Sequence, residues 1–223
     1  MPYNIAIDGP AGAGKSTIAR LCAEALSFIY VDTGALYRAL ALYFIEKDID
    51  LLQEEEVRKA CQEVRLNLTY QNNEQQVMLN GINIGEKIRR EKVGKMASVI
   101  SAHKIVRERL LELQRQIARD ENVVMDGRDI GTCVLPEAQL KIYLTASVSV
   151  RAKRRYEQLL LKGTTSNIEE IEKDMIDRDH RDMTREIAPL KQAKDAILLD
   201  SSHMSIDEVV QSIIKLYKNG KNK

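Results

Sequence analysis

Apolar positions divide the chain into short unbroken runs and longer periodic stretches. Five runs are short and mostly apolar: Tyr3–Asp8, Phe28–Val31, Asn122–Met125, Leu140–Thr145 and Ala196–Leu199. Runs of this kind fit strands covered on both faces, as in a parallel sheet. Between them lie stretches with helical spacing: Lys15–Leu26, Ala35–Glu46, Lys95–Arg119, Val148–Leu161 and Ile206–Tyr217. This alternation predicts an α/β protein whose parallel sheet carries helices on both faces. One segment departs from it. Val64, Leu66, Leu68 and Tyr70 alternate with polar residues, Val77 and Leu79 resume the alternation, and Asn80-Gly81 is a hairpin signal before Ile82 and Ile84. Residues 63–85 are therefore expected to form a small antiparallel sheet inserted in the parallel one. The lysine- and asparagine-rich end, Lys215–Lys223, is expected to fray.

Composition narrows the class. A chain of 223 residues suits one or two domains and buries about 70% of its unfolded surface. With 44% hydrophobic and 30% charged residues it lies near the globular norm, which excludes a disordered tail. A net charge of +1 argues against a general nucleic-acid or membrane-surface binder. Without Trp, and with 4% aromatics, a base-stacking platform is not expected either. Cys22, Cys61 and Cys133 match neither a disulfide framework nor a zinc site, so they are expected to be reduced thiols. The start of the chain has no basic and apolar leader pattern, and no apolar stretch approaches the ~18 residues of a membrane span. The expectation is a soluble cytoplasmic protein.

The chemistry begins at Gly9-Pro10-Ala11-Gly12-Ala13-Gly14-Lys15-Ser16, a match to G-x-x-x-x-G-K-[ST] between an expected strand and an expected helix. Glycines let backbone N–H groups turn toward an anion, and the helix N-terminus adds free donors and partial positive charge. Lys15 is placed to reach the β- and γ-phosphates of a nucleotide, Ser16 to ligate Mg²⁺, and Thr17 to add a hydroxyl contact. A dinucleotide-binding loop does not fit, because the third glycine of G-x-G-x-x-G is missing. No guanine-reading N-K-x-D occurs, so a small kinase is the economical reading.

A kinase must also hold an acceptor. Val31-Asp32-Thr33-Gly34-Ala35-Leu36-Tyr37-Arg38 follows the second strand, with Thr33 where a cap belongs and Arg38 one turn on. The plainer alternative is a cap and a surface arginine. Asp126-Gly127-Arg128-Asp129-Ile130-Gly131-Thr132 follows another strand, at the carboxyl edge where ligands of open α/β sheets sit. Asp126 suits a carboxylate that organises Mg²⁺ or its waters, while Arg128 and Asp129 are expected in an exposed turn. Ser166 and Glu169 look like a capping box. Arg178, Arg181, Asp182 and Arg185 then share one face of the following helix. That face is either a solvated, salt-bridged surface or a basic lid over transferring phosphates. Arg151, Lys153, Arg154 and Arg155 are a charge run expected to face solvent.

Together, Gly9–Thr17, Asp32–Arg38, Asp126–Thr132 and Arg178–Leu190 resemble bacterial cytidylate kinases, in order and over nearly the whole chain. The resemblance implies a P-loop kinase three-layer sandwich with a five-stranded parallel sheet. It places the core at 1–32, 95–147 and 190–223, an acceptor-binding region with the β insert at about 33–94, and a helical lid at about 148–186. It implies transfer of the γ-phosphoryl of ATP to CMP or dCMP with Mg²⁺, by a monomer with no nucleic-acid or membrane partner. Carried over by position, Thr33, Arg38, Arg128 and Arg185 would hold the acceptor phosphate. Ser98, Arg107 and Asp129 would read cytosine. Arg178 and Asp182 would reach the sugar, and Arg181 would stand near the transferring group. Lys15, Arg128, Arg181 and Arg185 are the candidate catalytic residues. On a single straight helix Ser98 and Arg107 would lie about 13 Å apart, an awkward distance for one base. A kinase for another acceptor, and a nucleotide-gated binding protein, are the competing functions.

Overall fold

The computed structural model describes residues 2–71, 74–161 and 163–221. Five strands form one parallel sheet: β1 (Asn4–Asp8), β2 (Ile29–Asp32), β6 (Val123–Gly127), β7 (Leu140–Thr145) and β8 (Ile197–Asp200), in the order β2-β6-β1-β7-β8. Each strand lies within a residue or two of its expected run. In β1, β2, β6 and β7 the side chains alternate between two apolar layers, whereas the edge strand β8, expected to be covered on both faces, leaves Ile197 and Leu198 exposed. Ile5, Ile7, Val124, Leu140, Ile142 and Leu144 pack against helices α1 (Lys15–Leu26) and α8 (Ile206–Lys221). Ala6, Val31, Val123 and Met125 face Ala118 and the wide turn at Ile130–Val134. Covering both faces removes the polar alternation that a half-exposed strand would show.

The insert forms as the alternation predicts. Strands β3 (Leu66–Gln71), β4 (Glu74–Leu79) and β5 (Ile82–Asn83) make an antiparallel sheet in that order. Asn80 and Gly81 both take positive φ, 50° and 84°, which is what a two-residue turn matched to the strand twist requires. The inner face of the insert, Leu66, Val77 and Leu79, joins a second core built around helix α2 (Thr33–Glu46), with Leu36, Leu40 and Phe44 buried.

Four local expectations are corrected. The stretch 95–119 is two helices, α4 (Glu91–Ile100) and α5 (Lys104–Asp120). Ser101 Oγ donates back to the Ser98 carbonyl at 2.8 Å, and His103 leaves the helical region with ψ 123°. Such back-bonding competes with helix continuation. Helix α3 (Glu54–Glu63) was not expected, although its acidic first turn and the buried Val57, Ala60 and Cys61 are a short helical signature. The expected capping box fails: the cap of α7 (Ile168–Thr184) is Asn167, whose side chain accepts from the Glu169 N–H at 2.8 Å. The chain end does not fray at Lys215, because α8 runs to Lys221 and Tyr217 packs edge-on against Tyr3 and Phe28 at 4.9 and 5.6 Å. Asn222 and Lys223 lie outside the described residues.

The sheet edge is tied to its loops by Asp8, the last residue of β1. Its two oxygens accept from the Ile130 and Gly131 N–H groups at 2.8 and 2.7 Å. Burial pushes its carboxyl up to about 6, against the pull of those two donors. A carboxyl raised in this way is penalised once ionised, so stability should fall as pH rises from about 4 to about 6. Asp8→Asn should lose that slope. Urea unfolding of both proteins from pH 4.5 to 7 should show the wild-type advantage shrinking by on the order of 2 kcal/mol. A difference that stays flat with pH would contradict the assignment.

Candidate active site

Parallel pairing brings the chemistry to one edge. In register, Ile7 stands beside Asp126 and Asp8 beside Gly127, while Asp32 of β2 also stands beside Asp126. The loop after β1 and the loop after β6 therefore leave the sheet side by side. Gly9 needs its missing side chain: its φ is 151°, and a Cβ would lie 1.9 Å from the Leu144 carbonyl oxygen. The chain then rises through Pro10, Ala11, Gly12 and Ala13, and Gly14 at φ 88° opens helix α1. Gly12, Ser16 and Thr17 are exposed at the mouth of this loop, whereas Lys15 is buried.

Lys15 Nζ donates to the Pro10 carbonyl at 2.7 Å. Burial holds its pKa well below the usual lysine value, and the nearby Arg128 cation adds to the shift. Ser16 Oγ donates to Asp126 Oδ2 at 3.0 Å, and the Tyr30 hydroxyl donates to Asp126 Oδ1 at 2.9 Å. Burial first, then the Asp32 charge, push the Asp126 carboxyl up to about 6. Thr33 does not cap α2. Asp32 does, accepting from the Ala35 N–H at 2.9 Å, while Thr33 Oγ1 donates to the Asp126 carbonyl at 2.7 Å. Arg38, one turn along, pairs with Asp32 at 2.8 Å.

The turn after β6 is not an exposed loop. Asp129 is 5% exposed and the Arg128 side chain 19%. Bonds from the Val134 and Leu135 N–H groups back to Asp129 and Ile130 fold the turn under the site. Arg128 Nε donates to Asp182 Oδ2 at 2.8 Å. Asp129 is held on both oxygens: Arg107 Nη2 donates to Oδ2, and Arg185 Nη2 donates to Oδ1 at 3.2 Å. The bend between α4 and α5 lets Arg107 Nη1 fold back onto the Ser101 carbonyl at 3.1 Å, while Ser98 enters the network only through its backbone carbonyl. Ser101 Oγ in turn accepts from Arg185 Nη1 at 3.3 Å while donating to the Ser98 carbonyl. Ser98, Ser101, Arg107, Asp129 and Arg185 are thus linked, and Arg107 lies 5.9 Å from the Tyr37 ring centre.

Helix α7 supplies the opposite wall. Asp182 is buried, and burial alone would push its carboxyl up, but Arg128, Arg178 and Arg185 together hold it below the usual range. Arg178 is reached by solvent yet crowded by the cleft walls. Burial in the cleft and the Arg128 cation lower its pKa to about 10. The expected shared face reaches only as far as Asp182, since Arg185 has left the helix with ψ 141° and its Nε donates to the Ala188 carbonyl. Arg181 is exposed, and its side chain makes no hydrogen bond or ion pair among the described residues. Sequence reasoning missed Asp8, Tyr30, Ser101, Arg151 and Asp179. The two last are a buried ion pair at 2.7 Å, and Arg151 lies in what was expected to be a solvent-facing charge run.

Comparison with known proteins agrees with this geometry. Residues 5–219 match the family described as cytidylate kinase. The cytidylate kinase of Shouchella clausii is 47% identical over 216 residues, covering 97% of this chain and 96% of its own. That of Thermosipho melanesiensis is 46% identical over 218 residues, covering 98% of each chain. Among solved structures, TT1252 from Thermus thermophilus superposes with a TM-score of 0.51 at 16% identity, covering 98% of this chain and 97% of its own, a likeness of fold alone. With a phosphate loop, an acidic strand end and an arginine-rich wall on one sheet edge, and with relatives this close over the full length, the chain belongs to the cytidylate kinase family.

Proposed function

We propose that the protein transfers the γ-phosphoryl of ATP to CMP and dCMP, forming CDP and dCDP. The observation that carries this reading is the convergence of two sites on one edge. The loop Gly9–Thr17 ends beside Asp126, and Asp129 stands among Arg107, Arg128 and Arg185. The loop amides and Lys15 would hold the donor phosphates. Thr33, Arg38, Arg128 and Arg185 would hold the acceptor phosphate, and Arg178 and Asp182 would reach the sugar. Arg181, exposed on α7, would approach the transferring group as the lid, about 148–186, closes over the core.

Cytosine offers an exocyclic amine beside N3 and O2 acceptors. Asp129 accepts from the amine, while Ser98 and Arg107 donate to the acceptors. Uracil presents a carbonyl where the amine would be, and each mispaired buried group costs roughly 1–3 kcal/mol. Both Asp129 oxygens already accept from arginines, so the base amine meets a carboxylate that is paired, with a further lone pair left on each oxygen. Arg185 is the partner that leaves, because the acceptor phosphate offers it a stronger anion.

A hydroxyl and a carboxylate within 3.0 Å at the foot of the phosphate loop are hard oxygen donors, which suits Mg²⁺. Ser16 and Asp126 would hold the ion or its waters, and the ion would neutralise charge on the transferring phosphates. The acceptor phosphate is already anionic at neutral pH, so no general base is needed. The chain's own contribution is positioning, charge neutralisation and exclusion of water. No helix among the described residues is long and apolar enough to cross a membrane, and we place the enzyme in the cytoplasm as a monomer.

The direct test is ADP release from MgATP with CMP, dCMP, UMP, AMP, GMP or no acceptor. Rapid release with CMP and dCMP and slow release with UMP is expected. Release with a different acceptor alone would discard the cytosine site and keep the kinase. In the same assay Asp129→Asn should lower the CMP-to-UMP ratio of kcat/KM at least tenfold. A ratio does not depend on how much enzyme is folded, and an unchanged ratio would remove Asp129 from base reading.

A further inference from the structure

Arg151 and Asp179 grip a single residue of the phosphate loop. Arg151, on α6 (Val148–Leu161), is 3% exposed. Its Nη1 donates to the Ala11 carbonyl at 2.8 Å and pairs with Asp179 Oδ2 at 2.7 Å, and its Nε donates to the Ala146 carbonyl at 2.9 Å. Asp179, on α7, accepts from the Ala11 N–H through Oδ1 at 3.2 Å. Both polar groups of the Ala11 backbone are thus bound by two side chains of the lid, one from each of its helices. The packing beside them is tight: a Cβ on Gly12 would lie 2.9 Å from Met175 Cε and 3.3 Å from Arg151 Cβ.

The arrangement has two mechanical consequences. With the Ala11 peptide groups turned toward the lid, the amides that follow are the ones left to face an anion. Asp179 also sets the rotation of α7. On a helix, residues 178 and 182 share a face and 179 lies about 100° round from 178. With Asp179 seated on the loop, Arg178 and Asp182 are turned toward Arg128 and the acceptor side.

We propose that Arg151 and Asp179 are positioning residues for phosphoryl transfer. They form a clamp on Ala11 that holds the phosphate loop in its anion-binding shape and indexes α7 over the acceptor. The lid then pivots about this clamp rather than leaving the loop. The proposal rests on the reading of ATP as donor.

The test combines amide hydrogen exchange with binding. In wild-type protein without nucleotide, the Ala11 amide should exchange slowly, and Asp179→Ala should speed it at least tenfold. Calorimetry with ATP should show about tenfold weaker binding to Asp179→Ala, and CMP binding measured without ATP should weaken by a smaller factor, since Arg178 and Asp182 lose only their indexing. Asp179→Asn, which keeps an acceptor for the Ala11 N–H but loses the ion pair, should fall between. If Asp179→Ala does not fold, Arg151→Lys should move exchange and ATP binding in the same direction. A fast Ala11 amide in the wild type would overturn the proposal, as would unchanged ATP affinity in the variants. Loss of ATP and CMP binding in step with stability would overturn it too, since that marks a purely structural pair. If the wild type binds no ATP at all, the donor reading fails, and the exchange rates still decide the clamp.

Discussion

The site depends on one buried carboxylate, Asp129, shared by two arginines from different parts of the chain. Arg107 reaches it from α5 and Arg185 from the segment after α7. Arg107, Arg185 and Asp129 side chains are each 10% exposed or less, so none of the three charges is well hydrated. Removing Asp129 from such a group leaves two buried cations without their anion, and breaking a buried pair in this way typically costs about 3–5 kcal/mol. The network therefore holds α5, the turn after β6 and the segment after α7 to one another. It also makes Asp129 a junction: whatever approaches one of its oxygens competes with an arginine for the same carboxylate.

Around that junction the charge is unbalanced in favour of cations. On top of what burial does, the Arg128 cation lowers the proton affinity of Lys15 and of Arg178, and Arg178 lowers that of Lys15. Like charges pressed together in a half-buried cleft are costly unless anions sit among them. On the proposed reading, the same arrangement would neutralise the charge of transferring phosphates without reorganising water at the moment of reaction. A binding site that merely tolerated a nucleotide would not need this crowding. The acidic groups are sorted accordingly. Asp182 is kept ionised by three arginines, while Asp8 and Asp126, deeper at the sheet edge, are pushed toward neutrality.

The parallel sheet and its insert were legible because their signals are local. Buried strands show as short apolar runs, and Asn80-Gly81 names its own turn. The phosphate loop and the acidic strand end were legible because their backbone geometry restricts residue type. What escaped depends on contacts distant in sequence or on competition between near-equal local states. The bend at Ser101–His103 turns on one hydroxyl choosing a carbonyl three residues back. Arg151 lies in a stretch that reads as a solvated face, and only the fold seats it against Ala11, 140 residues away. Asp8 looked like an ordinary strand end until the turn at Ile130–Gly131 was folded onto it. Asp32 and Thr33 could each have capped α2, and the Asp126 carbonyl drew Thr33 away.

The handover at Asp129 is the claim on which base recognition and lid engagement both rest. A crystal structure of the wild-type protein with CMP alone tests it most directly. The account predicts that the contact between Arg185 Nη2 and Asp129 Oδ1, 3.2 Å here, is given up. The cytosine amine should take its place on the carboxylate, with the Arg185 guanidinium on the CMP phosphate. A complex in which both arginines stay on Asp129 while the base binds elsewhere would contradict it.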